Sequence, residues 1–128
     1  MRLRGFLAGS ALALSLALTA CSGNTAAGGG GDAGAGTTVT VGTDTGAELK
    51  YEPALVEAPA NSQVKLVFQN KSTSQPHNLV FQQAITAKTS DSVAPGQSET
   101  LEITTPGAGS YKFTCTLHPG MDGTLNVK

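Results

Sequence analysis

Residues 111–127 read YKFTCTLHPGMDGTLNV, and the fold is decided by how this stretch is read. Tyr111, Phe113 and Cys115 share one parity, with Lys112 and Thr114 opposite. After an interruption, Leu125 and Val127 alternate with Thr124, Asn126 and Lys128. A period of two is the mark of a strand with one buried face. Pro119 and Gly120 suit a tight turn between the two runs. The stretch therefore predicts two strands joined by a short loop, with re-entry into the sheet at Thr124. Cys115, His118 and Met121 fall on that loop, three residues apart each time. By parity, Cys115 points inward at a strand end, where a core-facing side chain meets a loop.

The same period runs outward from there. Val39 and Val41 alternate with Thr38 and Thr40, and Val64, Leu66 and Phe68 with Lys65 and Gln69. His77, Leu79 and Phe81 share one parity, as do Leu101 and Ile103. Pro95-Gly96 and Pro106-Gly107 punctuate the runs as turns. No convincing run of period 3.6 follows residue 37. Six to eight short strands over residues 37–128 predict an all-β domain, a Greek-key sandwich of two antiparallel sheets. Gln83 to Val93 fits none of these runs and reads as a loop, a short helix or an irregular edge strand.

Charge narrows the partners. The chain has 128 residues, enough for one domain, and a formal net charge of −1. Two of its eight basic residues, Arg2 and Arg4, stand at the N-terminus. Six lysines then face nine acidic residues, about −3, so no basic patch exists to hold nucleic acid.

Residues 1–21, MRLRGFLAGSALALSLALTAC, have the layout of an export signal: two arginines, an apolar run, then small residues. The run is shorter than the ~20 residues of a spanning helix. Its end, Leu18-Thr19-Ala20-Cys21, resembles the lipobox of bacterial lipoproteins. That resemblance implies that cleavage leaves Cys21 as a lipidated N-terminus; an ordinary cleaved signal or an uncleaved anchor are the alternatives. All three readings put the domain in the periplasm or otherwise outside the cytoplasm, and lipid on Cys21 would hold it on a membrane. Residues 22–36, SGNTAAGGGGDAGAG, lack any bulky apolar residue and read as a flexible tether, or a plain spacer.

That compartment makes a lone thiol expensive to keep, because it oxidises thiols. If Cys21 carries lipid, Cys115 has no disulfide partner. A buried structural cysteine is one reading of Cys115. Yet His118 and Met121 follow at once, and His77 is the only other histidine. Two imidazoles, a thiolate and a thioether form a mixed borderline and soft donor set. It suits one copper ion better than zinc, magnesium or calcium: two His and a Cys with a weak axial Met is the ligand set of a blue-copper site.

With PHNLVF (76–81) and YKFTCTLHPGMDGTLNV (111–127), the chain resembles the cupredoxins. LKYEPALVEAPANSQVKLVFQN (49–70) and PGQSETLEI (95–103) extend the resemblance over nearly all of residues 37–128. Its Cys-x2-His-x2-Met loop has the spacing of amicyanin. Plastocyanin and pseudoazurin have Cys-x2-His-x4-Met, and azurin and auracyanin Cys-x4-His-x4-Met. The glycine-rich tethered layout is similar to the auracyanins, whose copper loop is two residues longer on each side of the histidine. The resemblance implies that His77, Cys115 and His118 form a trigonal plane with Met121 axial. It implies that Asn78 ties the two ligand segments together near Thr116; a plain strand-end residue is the alternative. It also implies a buried His77 and an exposed His118 edge, flanked by Leu117 and Pro119, where redox partner proteins dock transiently.

The function expected is one-electron transfer by a monomeric, membrane-tethered carrier that is not an enzyme. A copper-handling protein that stores or delivers Cu(I) is the alternative, but such proteins tend to carry extra Met or His clusters, absent here. Copper nitrite reductases and multicopper oxidases need further histidines for a second copper, and binuclear copper-A needs a second loop cysteine.

Overall fold

The computed structural model describes residues 36–128. The export leader with Cys21, and the tether apart from Gly36, lie outside the described residues. Eight strands follow in chain order: β1 (Thr37–Thr43), β2 (Tyr51–Glu52), β3 (Leu55–Ala58), β4 (Gln63–Gln69), β5 (Val80–Phe81), β6 (Ser98–Thr104), β7 (Gly109–Thr114) and β8 (Asp122–Val127). They form two four-stranded sheets, ordered β2-β1-β4-β6 and β3-β8-β7-β5. The domain is all-β, with the core between the sheets. Among the described residues no helix is long and apolar enough to cross a membrane.

Alternation decides which residues enter that core. In β4, Val64, Leu66 and Phe68 are fully buried while Gln63 and Lys65 face out. Phe113 and Leu125 of the other sheet, and Leu79 just before β5, join them in the core, each without exposed surface. Burying each such side chain contributes about 1.5–3 kcal/mol. Phe113 collects two aromatic edges, from Tyr51 at 4.9 Å and Phe81 at 5.6 Å between ring centroids. Gly123 of β8 is required there, because a Cβ would overlap the Phe113 ring and lie 3.0 Å from the Ala54 carbonyl.

The sheets are mixed, not antiparallel throughout. β1 pairs with β4 in parallel, and β3 with β8 in parallel. The connectivity explains the first case. After the antiparallel β1–β2 pair, the chain crosses to the other sheet as β3 and returns as β4, which then runs alongside β1.

Three local expectations also change. Only Val80 and Phe81 of the run from His77 pair as a strand, because the segment's other contacts are single bridges, His77 to Val93 and Val80 to Lys88. Gln83 to Val93 is irregular chain crossing between sheets, with Ile85 and Val93 buried and Ala84 at φ 56°. The chain re-enters the sheet at Asp122, because Thr114 and Asp122 already pair across β7 and β8.

At the end where β1 and β4 finish, a polar network replaces strand pairing. Asn70 donates to the Gln75 carbonyl at 2.9 Å and the Val93 carbonyl at 2.8 Å, and its Oδ1 accepts from the Ser72 amide at 3.0 Å. Thr43 Oγ1 accepts from the Lys71 amide at 2.9 Å and the Ser72 amide at 3.1 Å. Thr43, Asn70 and Ser72 are all buried, so these bonds satisfy groups that water cannot reach. They fix the path of residues 70–76, which deliver His77.

Candidate metal centre

Cys115 follows directly on β7, and its amide donates to the Met121 carbonyl at 2.9 Å. The Met121 amide donates back to the His118 carbonyl at 3.2 Å, closing the loop with Gly120 at φ 87°. A residue with a Cβ is strained at that angle. Thr114 Oγ1 adds a bond to the same Met121 carbonyl at 3.1 Å. Strand pairing thus forces Cys115 and Met121 opposite each other, both buried. His118, between them, is half-buried, and Leu117 and Pro119 beside it are exposed.

His77 lies in the segment that leads into β5, the neighbour of β7 in the same sheet. Its amide and carbonyl exchange bonds with Val93, at 3.1 and 2.9 Å. Its ring is buried, and its Nδ1 stands 3.8 Å from Cys115 Sγ. His118 Nδ1 stands 3.6 Å from the same sulfur. The two rings lie 4.6 Å apart at 48°. The three donor atoms all fall within 4.8 Å of one another. No other group of three or more His, Cys, Asp or Glu donors gathers this way among the described residues.

The spacing can be tested against a metal. Bonds of about 2.0 Å to nitrogen and about 2.3 Å to sulfur, opened by a tetrahedral to trigonal angle, separate the two donors by about 3.5–3.7 Å. The observed S···N distances, 3.8 and 3.6 Å, lie at or within about 0.1 Å of this range, so each nitrogen is spaced to share an ion with the Cys115 sulfur. The donor chemistry selects the ion. Two imidazoles, a thiolate and a buried methionine at the next strand's start are the donors of a single type-1 copper site, held by His77, Cys115, His118 and Met121. Burial, and then the nearby His118 charge, hold His77 below the ordinary histidine pKa. It therefore stays neutral, the form that binds metal.

Asn78 holds the two ligand segments together. Its Nδ2 donates to Thr116 Oγ1 at 2.7 Å and to the Asp91 carbonyl at 2.9 Å, and its Oδ1 accepts from the Thr116 amide at 2.8 Å. Its own amide points at Cys115 Sγ, 3.5 Å away. Asp122, next to Met121, is exposed and pairs with Lys112 at 3.0 Å, so it contributes no donor to the site. Sequence reasoning missed Tyr51, Asn70 and Thr43. Tyr51 is buried and donates from its hydroxyl to the Asn78 carbonyl at 2.6 Å. The lone Tyr51 on a two-residue strand gave no periodic signal; Asn70 and Thr43, polar groups at strand ends, looked like turn residues.

Known proteins agree with this architecture. The chain is 33% identical to plastocyanin of Prochlorothrix hollandica over 97 residues, 69% of this chain and 70% of that one. Its structure aligns with dithionite-reduced auracyanin of Roseiflexus castenholzii at a TM-score of 0.62 and 28% identity, over 74% of this chain and 99% of the other. A reduced Cu(I) amicyanin variant aligns at a TM-score of 0.51 and 23% identity, over 71% and 82%; that likeness speaks for the fold alone. The cupredoxin-like domain family matches residues 11–127. Two four-stranded sheets, a His-Cys-His-Met centre at one end and a family match over most of its length lead to one assignment: the chain belongs to the cupredoxin-like family.

Proposed function

We propose that this protein carries single electrons between redox partner proteins at the outer face of a membrane, as a monomer tethered through lipid on Cys21. One observation carries the electron-transfer reading: Cys115 Sγ lies between two Nδ1 atoms, one on a buried ring and one on a ring at the surface. The relatives support it, since auracyanin of Chloroflexus aurantiacus is described as a blue copper protein and plastocyanin is a curated relative. The LTAC sequence supports the tether.

Copper supplies a one-electron couple when bound; the chain's task is to keep the donors still. Val93 fixes the His77 backbone on one side, and Asn78 locks the loop to it on the other. The Asn78 amide stabilises negative charge on the Cys115 sulfur. Core packing keeps water from Cys115 and Met121, leaving His118 as the donor nearest solvent. Leu117, 41% exposed, gives that edge an apolar surround suited to brief, small contacts with a partner.

Voltammetry of the copper-loaded protein tests the carrier reading. A reversible one-electron wave, with rapid reduction and reoxidation by small protein partners, is expected. Tight Cu(I) binding without a reversible wave would replace it with copper storage or delivery. For the tether, Cys21→Ser should move the protein from the membrane fraction to the soluble extract; membrane retention of that variant would contradict it.

A further inference from the structure

We propose that Tyr51 is a positioning residue for the copper centre: its hydroxyl holds the Asn78 backbone so that the Asn78 amide stays aimed at the Cys115 sulfur. The inference rests on the copper reading, but its first readout below needs no metal.

Asn78 is 1% exposed and uses every polar group it has. Its side chain serves Thr116 and Asp91. Its amide faces Cys115 Sγ at 3.5 Å, a long contact whose strength depends on orientation. The carbonyl side of the residue receives the Tyr51 hydroxyl at 2.6 Å, a short and buried bond. The preceding residue, His77, is held by Val93 through both its amide and its carbonyl. The backbone that carries the Asn78 amide is therefore pinned from both ends, by Val93 before it and by Tyr51 after it.

Tyr51 is well placed for this. It belongs to β2, at the edge of the opposite sheet, so the bond links the two sheets at the level of the metal. Its ring is wedged edge-on between Phe113 at 4.9 Å and Phe68 at 6.2 Å. Those contacts fix the direction of the hydroxyl. Losing the hydroxyl alone would leave the Asn78 carbonyl buried without a donor, and the local backbone would shift to find one. A weaker amide bond leaves more electron density on the thiolate, which favours Cu(II) over Cu(I).

The test is Tyr51→Phe, which keeps the ring and removes one bond. In the metal-free protein, the Asn78 amide should exchange hydrogen at least several-fold faster than in the unaltered protein. In the copper-loaded protein, the reduction potential should fall and the thiolate-to-copper absorption should shift in energy. Val64→Ala is the packing control: Val64 is fully buried near the other end of β4 from Phe68, so the change should lower stability while leaving exchange at Asn78 and the potential in place. If Tyr51→Phe does not fold, 3-fluorotyrosine incorporated throughout keeps the shape and makes the hydroxyl a stronger donor; the potential should then rise. Tyr111, the only other tyrosine, bonds the Gly107 carbonyl and not the site. Unchanged Asn78 exchange and unchanged potential in Tyr51→Phe, or an unmoved potential with the fluorinated residue, would overturn the proposal. A colourless unaltered protein with fast exchange only in Tyr51→Phe would instead count against copper and leave the Tyr51 clamp standing.

Discussion

At the residue scale, Asn78 is where fold and metal chemistry meet. Asn78→Ala removes three side-chain bonds and strands the Thr116 amide. A loss of about 2–3 kcal/mol in unfolding free energy is expected by chemical denaturation, and copper should leave the variant faster. His77 sets a pH dependence. Its folded pKa lies below the ordinary value because burial, then the neighbouring His118, disfavour its charged form. Below about pH 6.5 the unfolded chain takes up a proton at this residue that the folded chain refuses. Its contribution to stability is therefore complete above that pH and is lost as pH falls from there through the lower folded value. In the metal-free protein, denaturation midpoints should decline along that limb, and His77→Gln should flatten it. His77, Cys115, His118 and Met121 were all readable in the sequence because their types are scarce there and their spacing is chemical. Tyr51 was not: its partner is a backbone carbonyl 27 residues away, and a hydrogen bond to backbone selects no residue type at the other end.

At the element scale, the β7–β8 pair builds the site. The pairing of Thr114 with Asp122 sets how the loop between them closes. Gly123→Ala would drive a Cβ into Phe113 and toward the Ala54 carbonyl, so neither β7 nor β3 has room to yield. A loss of about 1–3 kcal/mol is expected, with altered copper absorption because the displaced strand carries Met121. Gly120→Ala meets no neighbour but must hold φ 87°, so about 1–2 kcal/mol is expected from strain alone. The long strands β1, β4, β6, β7 and β8 were legible because each shows three or more alternating positions or a clear pair. β2 and β3 have two to four residues each and gave no such pattern; the His77–Phe81 parity marked β5, but only Val80 and Phe81 pair there, with β7. Gln83 to Val93 was unreadable because its placement comes from tertiary bonds, such as Leu79 to Thr89 Oγ1 at 3.0 Å.

At the scale of the whole molecule, the core carries the stability and surface charge adds little. The five ion pairs found among the described residues, such as Lys65 with Glu102 at 3.8 Å, have exposed side chains. Exposed pairs contribute about 0–1 kcal/mol each and are screened by salt. The unfolding midpoint should therefore change little between low and high sodium chloride, whereas removing copper should lower it clearly, because an ion that binds only the folded state stabilises it. The sandwich was legible from period-two patterning, but the parallel β1–β4 and β3–β8 pairs were not. Parity tells which face a strand buries; it says nothing about which strand lies beside it.

The central claim is that Cys115, between His77 and His118, binds one copper ion through its thiolate. Titration of the purified protein with Cu(II), followed by visible absorption, tests it most directly. An intense thiolate-to-copper band that saturates at one equivalent, and is absent in Cys115→Ser, is the predicted result. No band, saturation at more than one equivalent, or a band that survives in Cys115→Ser would contradict it.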